Sequence, residues 1–204
     1  MQNTAIFPLF YLPSVDYFRL LANHDGAVVL EQHEHFPKQT YRNRASIYSP
    51  NGRLDLTVPV VKGSKVHTKV KDVKISYDFD WRRLQRLSLE SCYRNSAYFE
   101  YYEDELMTFF DKKPVFLFDL NLELTTWLLR KLKLDVPFSL SAAYEHANDG
   151  QDFRSSIHPK KESPLAPGES YYQVFGERHG FIPNLSIIDL LFSKGPQSKA
   201  YLGR

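Results

Sequence analysis

The sequence predicts one α/β domain over residues 1–204, with a βαβ start feeding a mixed sheet, a β-hairpin and flanking helices. Three observations predict it. Two short apolar runs, residues 5–11 and 27–30, bracket a segment of helical periodicity. A Ser49-Pro50-Asn51-Gly52 turn joins two strand-like runs. The middle of the chain carries apolar stripes at helical spacing.

Ala5 to Tyr11 reads as a buried first strand. Pro13 and Ser14 mark a helix start, with Ser14 as N-cap. Val15, Phe18 and Ala22 then share one helical face, and Asn23-His24-Asp25-Gly26 ends it. Ala27 to Leu30 is the second strand, and strand-helix-strand at this spacing implies a right-handed parallel crossover. After the hairpin turn, Leu54, Leu56, Val58 and Val60 alternate with polar residues, and Pro59 makes this an edge strand or its end. The polar phase slips by one residue at Lys71-Asp72, which predicts a break there.

Asp80 is the expected cap of a helix over 81–94, and Ser96 of the next. Phe99, Tyr102, Leu106, Phe109 and Phe110 form the stripe of that second helix. A third is expected over about 120–134, then a strand in 136–140. Residues 144–170 hold three prolines and few apolar side chains, and read as a long loop, either functional or mobile and solubilising. Leu185 to Phe192 closes the chain as a helix, with a capping-box-like Ser186-x-x-Asp189 and a Gly195-Pro196 stop.

Composition narrows the function. With 26 Lys+Arg against 24 Asp+Glu, a net charge of +2 argues against a polybasic nucleic-acid binder. A lone cysteine, Cys92, excludes an internal disulfide framework and suits a reducing, cytoplasmic setting. No apolar run is long enough for a membrane span. Nine glycines leave little room for a glycine-rich phosphate loop, and no nucleotide or hydrolase motif occurs. Nothing specifies a cofactor, a metal or an oligomeric state.

Chemistry-bearing residues gather at element ends. His33-Glu34-His35 follows the second strand, where parallel sheets bind ligands; a His there suits proton transfer, ligand contact or, with Glu34, metal binding. Tyr41-Arg42-Asn43-Arg44 would form a two-arginine anion clamp if extended, with Arg42 and Arg44 on one face. In the long loop, Arg154, His158, Lys160 and Lys161 are suited to hold or protonate an anion. Lys62, Lys65, Lys69, Lys71 and Lys74 form a basic run that would suit contact with nucleic acid or an anionic surface, and that reads better as charges guarding a strand edge against aggregation. The 15% aromatic content includes pairs beside element ends, Phe10-Tyr11 and Tyr17-Phe18 among them, that would suit the walls of a stacking pocket.

Five ordered stretches resemble the WbqC-like protein family. They are Phe10-Tyr11-Leu12-Pro13 with Asp16-Tyr17-Phe18; Tyr41-Arg42-Asn43-Arg44; Asn51-Gly52 with Leu56-Thr57-Val58-Pro59-Val60; Tyr93 to Phe99; and Leu185 to Phe192 with Gly195-Pro196. Many members carry a Gln-Pro pair after the first strand, where this chain has Pro8-Leu9-Phe10. The resemblance implies a setting in O-antigen and other surface-polysaccharide synthesis. It suggests a transferase for a sugar nucleotide or an activated acyl or aminoacyl donor. The candidate site combines His33 and His158, read from their own segments as proton-transfer groups, with Tyr11, Arg42, Asn43, Arg44, Arg154 and Lys160 binding an anionic small molecule; of these, Arg42, Asn43, Arg44 and Lys160 match family-like positions. A non-catalytic binding or scaffold protein of the same pathway is the alternative.

Overall fold

The computed structural model describes residues 3–61, 67–145 and 151–203. Strand β1 (Thr4–Pro8), helix α1 (Val15–Ala22) and strand β2 (Ala27–Glu31) form the expected βαβ unit. β1 and β2 pair in parallel, with Phe7 opposite Leu30 and Pro8 opposite Glu31. Ser14 occupies the N-cap of α1, but its side chain makes no capping bond. The hairpin of β3 (Arg44–Ser49) and β4 (Gly52–Thr57) turns through Pro50-Asn51, with Ser49 opposite Gly52. Gly52 sits at φ 93°, a backbone conformation that favours glycine. The hairpin stands as its own two-stranded sheet and does not extend the parallel one. The phase slip at Lys71-Asp72 is a 3₁₀ turn over Val70–Asp72.

Three helices follow. α2 (Trp81–Tyr93) starts at Asp80, whose side chain accepts the Arg83 N–H at 3.4 Å. α3 (Phe99–Asp111) begins three residues beyond the expected Ser96 cap. The Ser96 hydroxyl instead donates back to the Tyr93 carbonyl at 2.7 Å, closing the end of α2. α4 (Leu117–Lys131) starts before the expected Leu120, because Leu117 and Phe118 are themselves buried. β5 (Phe138–Leu140) then pairs in parallel with the outer side of β2.

The long loop contains a strand that the sequence pattern missed. β6 (Gln151–Asp152) pairs in parallel with β1, giving the order β5-β2-β1-β6. Every pairing is parallel, so all four carboxyl ends share one edge. The loop's 163–166 stretch is tied to α1. Arg19 Nη1 donates to the Ala166 carbonyl at 2.9 Å, and the Ser163 hydroxyl bonds the Asp16 carboxylate.

A short α5 (Gly176–His179), then α6 (Ile187–Lys194) and α7 (Ser198–Tyr201), complete the chain. α6 stops at Gly195, φ 52°. The capping-box expectation at its start is corrected. Ser186 Oγ donates to the Leu12 carbonyl at 2.8 Å. Asp189 accepts from Tyr93 (2.8 Å), Tyr171 (2.7 Å) and Gln173 (2.8 Å). Partners distant in sequence have taken both side chains away from the helix terminus.

One hydrophobic cluster runs from Ala5 to Leu202. Phe10, Tyr11, Tyr17 and Phe18 lie inside it, none more than 1% exposed. Their rings pack on one another, with Phe10 and Tyr17 centroids 5.3 Å apart. The reading of these pairs as pocket walls is therefore corrected: they are core. Among the described residues, no helix is long and apolar enough to cross a membrane. Lys62 and Lys65 of the lysine run, and residues 146–150 of the long loop, lie outside the described residues.

Candidate functional site

Parallel strands end where helix-bearing connections diverge, and the resulting crevice is the usual ligand position in such sheets. Here a cleft of about 580 Å³ opens at that edge. β2 leads into His33, Glu34 and His35, β5 into Tyr144, and β6 supplies Asp152 and leads into Arg154. The 40–42 turn closes the floor with Thr40 and Arg42, held by the Tyr11 N–H donating to the Tyr41 carbonyl at 2.9 Å. His158 lines the loop side, and Lys38 and Lys69 the remaining rim.

Glu31 organises the centre. It is 1% exposed and accepts from the His33 backbone N–H (2.6 Å), the Ser141 hydroxyl (2.9 Å) and Arg154 Nη1 (3.3 Å). It thus fixes the two segments that carry His33 and Arg154. Arg154 also grips Asp152 through Nε and Nη2, the latter at 2.7 Å. Those hydrogen bonds and the Asp152 charge hold the guanidinium pKa above its ordinary value. Burial works to raise the Asp152 carboxyl, but Arg154 overcomes it and the carboxyl lies below its usual range. Tyr144 stacks its ring over Arg154, 4.7 Å from centroid to guanidinium carbon.

Arg42 forms the second centre. Its Nε and Nη2 meet Glu34 at 2.7 and 2.8 Å, a bidentate fork, and Nη2 also reaches the Arg154 carbonyl at 3.1 Å. Among the described residues Nη1 donates to nothing. Burial pushes the Glu34 carboxyl up, against the pull of Arg42, while burial also lowers the Arg42 guanidinium. Each group therefore depends on the other to stay charged in a dry position.

The cleft lining carries four basic side chains, Lys38, Arg42, Lys69 and Arg154, against two carboxylates, Glu34 and Asp152. The carboxylates lie on the inner guanidiniums, and the exposed lysines stand at the mouth. A ligand entering meets net positive charge. His158 adds a donor of fixed orientation. Its Nδ1 accepts the Lys160 backbone N–H at 3.1 Å, so the neutral ring carries its proton on Nε2. Burial, then Lys161, Lys160 and Arg42, lower its pKa and favour that neutral form.

Four of the eight candidate residues thus converge: His33, Arg42, Arg154 and His158. The other four do not line the cleft. Tyr11 is in the core, its hydroxyl donating to Gln85 Oε1 at 2.5 Å. Asn43 is a structural brace, its Nδ2 donating to the Val58 carbonyl at 2.9 Å. Arg44 starts β3, and Arg42 lies in the turn before it, so the two arginines form no clamp. The second arginine of the cleft is Arg154. Lys160 reaches Gln39 Oε1 at 3.0 Å and serves the cleft through its backbone, which holds His158.

Lys69 and Tyr144 were not among the sequence candidates. Lys69 reaches the cleft because the 68–71 segment pairs with 32–36: Val70 N–H donates to the Glu34 carbonyl, and Phe36 N–H to that of Thr68. The available signal for Lys69 was the basic run that holds it, with its break in strand phase at Lys71-Asp72. Tyr144 carried none beyond its place at the start of the long loop. Among the described residues no cluster of ligating side chains is arranged to hold a metal.

Comparison with known proteins bears on the whole chain. The chain is 26% identical to the uncharacterized protein Rv1507c of Mycobacterium tuberculosis (strain ATCC 25618 / H37Rv), over an alignment covering 99% of this chain and 98% of the relative. No solved structure matches. The WbqC-like protein family matches residues 10–163, a span that holds β2, the 40–42 turn and the Asp152–His158 segment, and the chain belongs to that family.

Proposed function

We propose that the protein is a cytoplasmic transferase of surface-polysaccharide synthesis, acting on an anionic, nucleotide-activated substrate. The observation that carries this reading is the convergence of Arg42, Arg154, His33 and His158 on one cleft at the carboxyl edge of the parallel strands. The scarcity of glycine fits the same picture, since side chains rather than a glycine-rich backbone loop supply the cations.

In this reading the donor's phosphates sit against Arg42 Nη1, Lys38 and Lys69. The His158 Nε2–H adds a hydrogen bond to a phosphate oxygen. His33 takes the proton from the acceptor nucleophile as that nucleophile bonds to the transferred group. The bond to the leaving phosphate breaks, and its electron pair stays on the phosphate oxygens, where the cations stabilise it. Nucleotide-activated donors and a single thiol both suit the cytoplasm.

Thermal-shift titration with sugar nucleotides, nucleoside diphosphates and pyrophosphate tests the reading. Stabilisation is expected with the phosphorylated ligands, and Lys69→Ala and His158→Gln are expected to weaken it. No shift with any phosphorylated ligand would sink it. The second reading, a binding or scaffold protein of the same pathway, draws on the exposed apolar residues Phe79, Leu84 and Leu87 in and before α2. It predicts ligand binding without turnover of any donor.

A further inference from the structure

We propose that a second cavity, one wall away from the cleft, binds a small carboxylate with a compact ring or branched apolar body. This does not rest on the transferase reading. The cavity has a volume of about 230 Å³. That is below the roughly 300 Å³ at which pockets for drug-sized ligands begin, so it fits one ring and not a nucleotide.

Its place is set by alternation along two segments. In the 40–42 turn, Thr40 and Arg42 line the cleft while Tyr41 lines the cavity. In the long loop, His158 lines the cleft while Pro159 and Lys161 line the cavity. The two sites therefore share a wall one residue thick.

The far side is aromatic. Tyr171 meets Phe181 and Tyr201 edge-on, at centroid distances of 5.2 and 5.3 Å. Such walls favour an apolar body over a bare inorganic ion.

The polar groups then decide the charge of the ligand. The cavity's acceptor, Asp16, is already used: Arg19 Nη1 reaches it at 3.0 Å, and the Ser163 hydroxyl donates to it. Asn184 gives its Oδ1 to the Asp16 N–H at 3.0 Å, which leaves its amide Nδ2 as a donor without a partner among the described residues. Arg53 uses Nη2 on Ser46 (2.7 Å) and Tyr41 (3.4 Å), and its Nε lies 3.6 Å from Asp55, leaving Nη1. Lys161 uses one of three protons, on the Ser155 carbonyl at 3.1 Å. What remains is donors and positive charge, from three separate segments, around an aromatic wall. A carboxylate presents the matching acceptors, and Arg53 is shaped to receive it.

Ligand-observed saturation-transfer NMR on the full chain tests this, with cyclohexanecarboxylate as the probe. Cyclohexylmethanol and cyclohexylmethylammonium are its neutral and cationic counterparts. Saturation transfer to the carboxylate is expected, with both counterparts bound about tenfold more weakly or not at all. Arg53→Ala with Lys161→Ala should weaken the carboxylate about tenfold. Both residues are exposed, so the melting temperature should stay unchanged. Lys69→Ala, on the cleft rim, should leave carboxylate binding as it is. No transfer to the carboxylate, equal binding of the alcohol, or full binding in the double variant would overturn the proposal. Because phosphorylated ligands are titrated separately, failure here is distinct from failure of the cleft reading.

Discussion

Two acid sites in this molecule are built on opposite plans. At the sheet edge, Glu31, Glu34 and Asp152 are matched by the guanidiniums of Arg42 and Arg154. On the buried face of α6, Asp189 is 2% exposed and is held by two tyrosine hydroxyls and an amide, without a cation among its hydrogen-bond partners. The first cluster keeps its charge in place and opens into a cleft. The second is sealed and ties α6 to α2 and to the 171–173 segment. Burial pushes the Asp189 carboxyl above its ordinary value, only partly opposed by those donors. Carboxylates paired with cations at an open edge can position chemistry. A carboxylate held by neutral donors positions helices.

The contrast gives predictions that break or sharpen it. The largest effect is expected for Arg42→Ala, which strands the buried Glu34: a loss of about 3–5 kcal/mol in denaturant unfolding. Replacing both partners by apolar residues, Arg42→Met with Glu34→Leu, should recover most of that loss, because the desolvation cost leaves with the pair. Failure of the double variant to recover would mean that the pair does more than compensate charge.

Asp189→Ala comes next. It leaves buried hydroxyl and amide donors unmatched, at a cost of about 3 kcal/mol. Asp189→Asn should cost less and should change the pH profile. A carboxyl raised in the folded state contributes stability that is fully present below its unfolded value of 3.8. That stability is lost as pH rises through the folded value. The Asn variant should lose this component, so its stability relative to wild type should improve with rising pH above about 4. A constant difference across pH would contradict the assignment.

Tyr11→Phe removes the hydroxyl bond to Gln85 and should cost about 1 kcal/mol with no change in ligand affinity. A fall in affinity would return Tyr11 to the site. The smallest stability effect is expected for Lys69→Ala, within about 0.5 kcal/mol of wild type, since the side chain is exposed. Its phosphate affinity should nonetheless drop severalfold, which calorimetric titration would show.

How much of this was legible depended on the distance between partners. The βαβ unit, the hairpin and α2 follow from local periodicity, turn chemistry and capping, so the pattern of residues 5–30, 49–57 and 80–94 was enough. β6 was not legible, because two polar residues carry no period and pair only through β1. The site divided in the same way. His33 follows a legible strand end, where topology places ligands, whereas Arg154 stood out only as a cation in the long loop, since the strand before it carries no sequence signal. Arg44 misled because the alternation rule was applied across a turn: Arg42 precedes β3 and faces another direction. Tyr11 misled because an aromatic beside a strand end looks the same in sequence whether it lines a pocket or fills the core. Ser186 and Asp189 misled because tertiary hydrogen bonds outcompeted a local cap.

The central claim is that the sheet-edge cleft is the anion site. Amide chemical-shift mapping during a pyrophosphate titration tests it most directly. The account predicts shifts concentrated at residues 31–42, 67–70 and 152–160, diminished by added salt and in Lys69→Ala. Shifts scattered over the surface, or absent from those three segments at saturation, would contradict it.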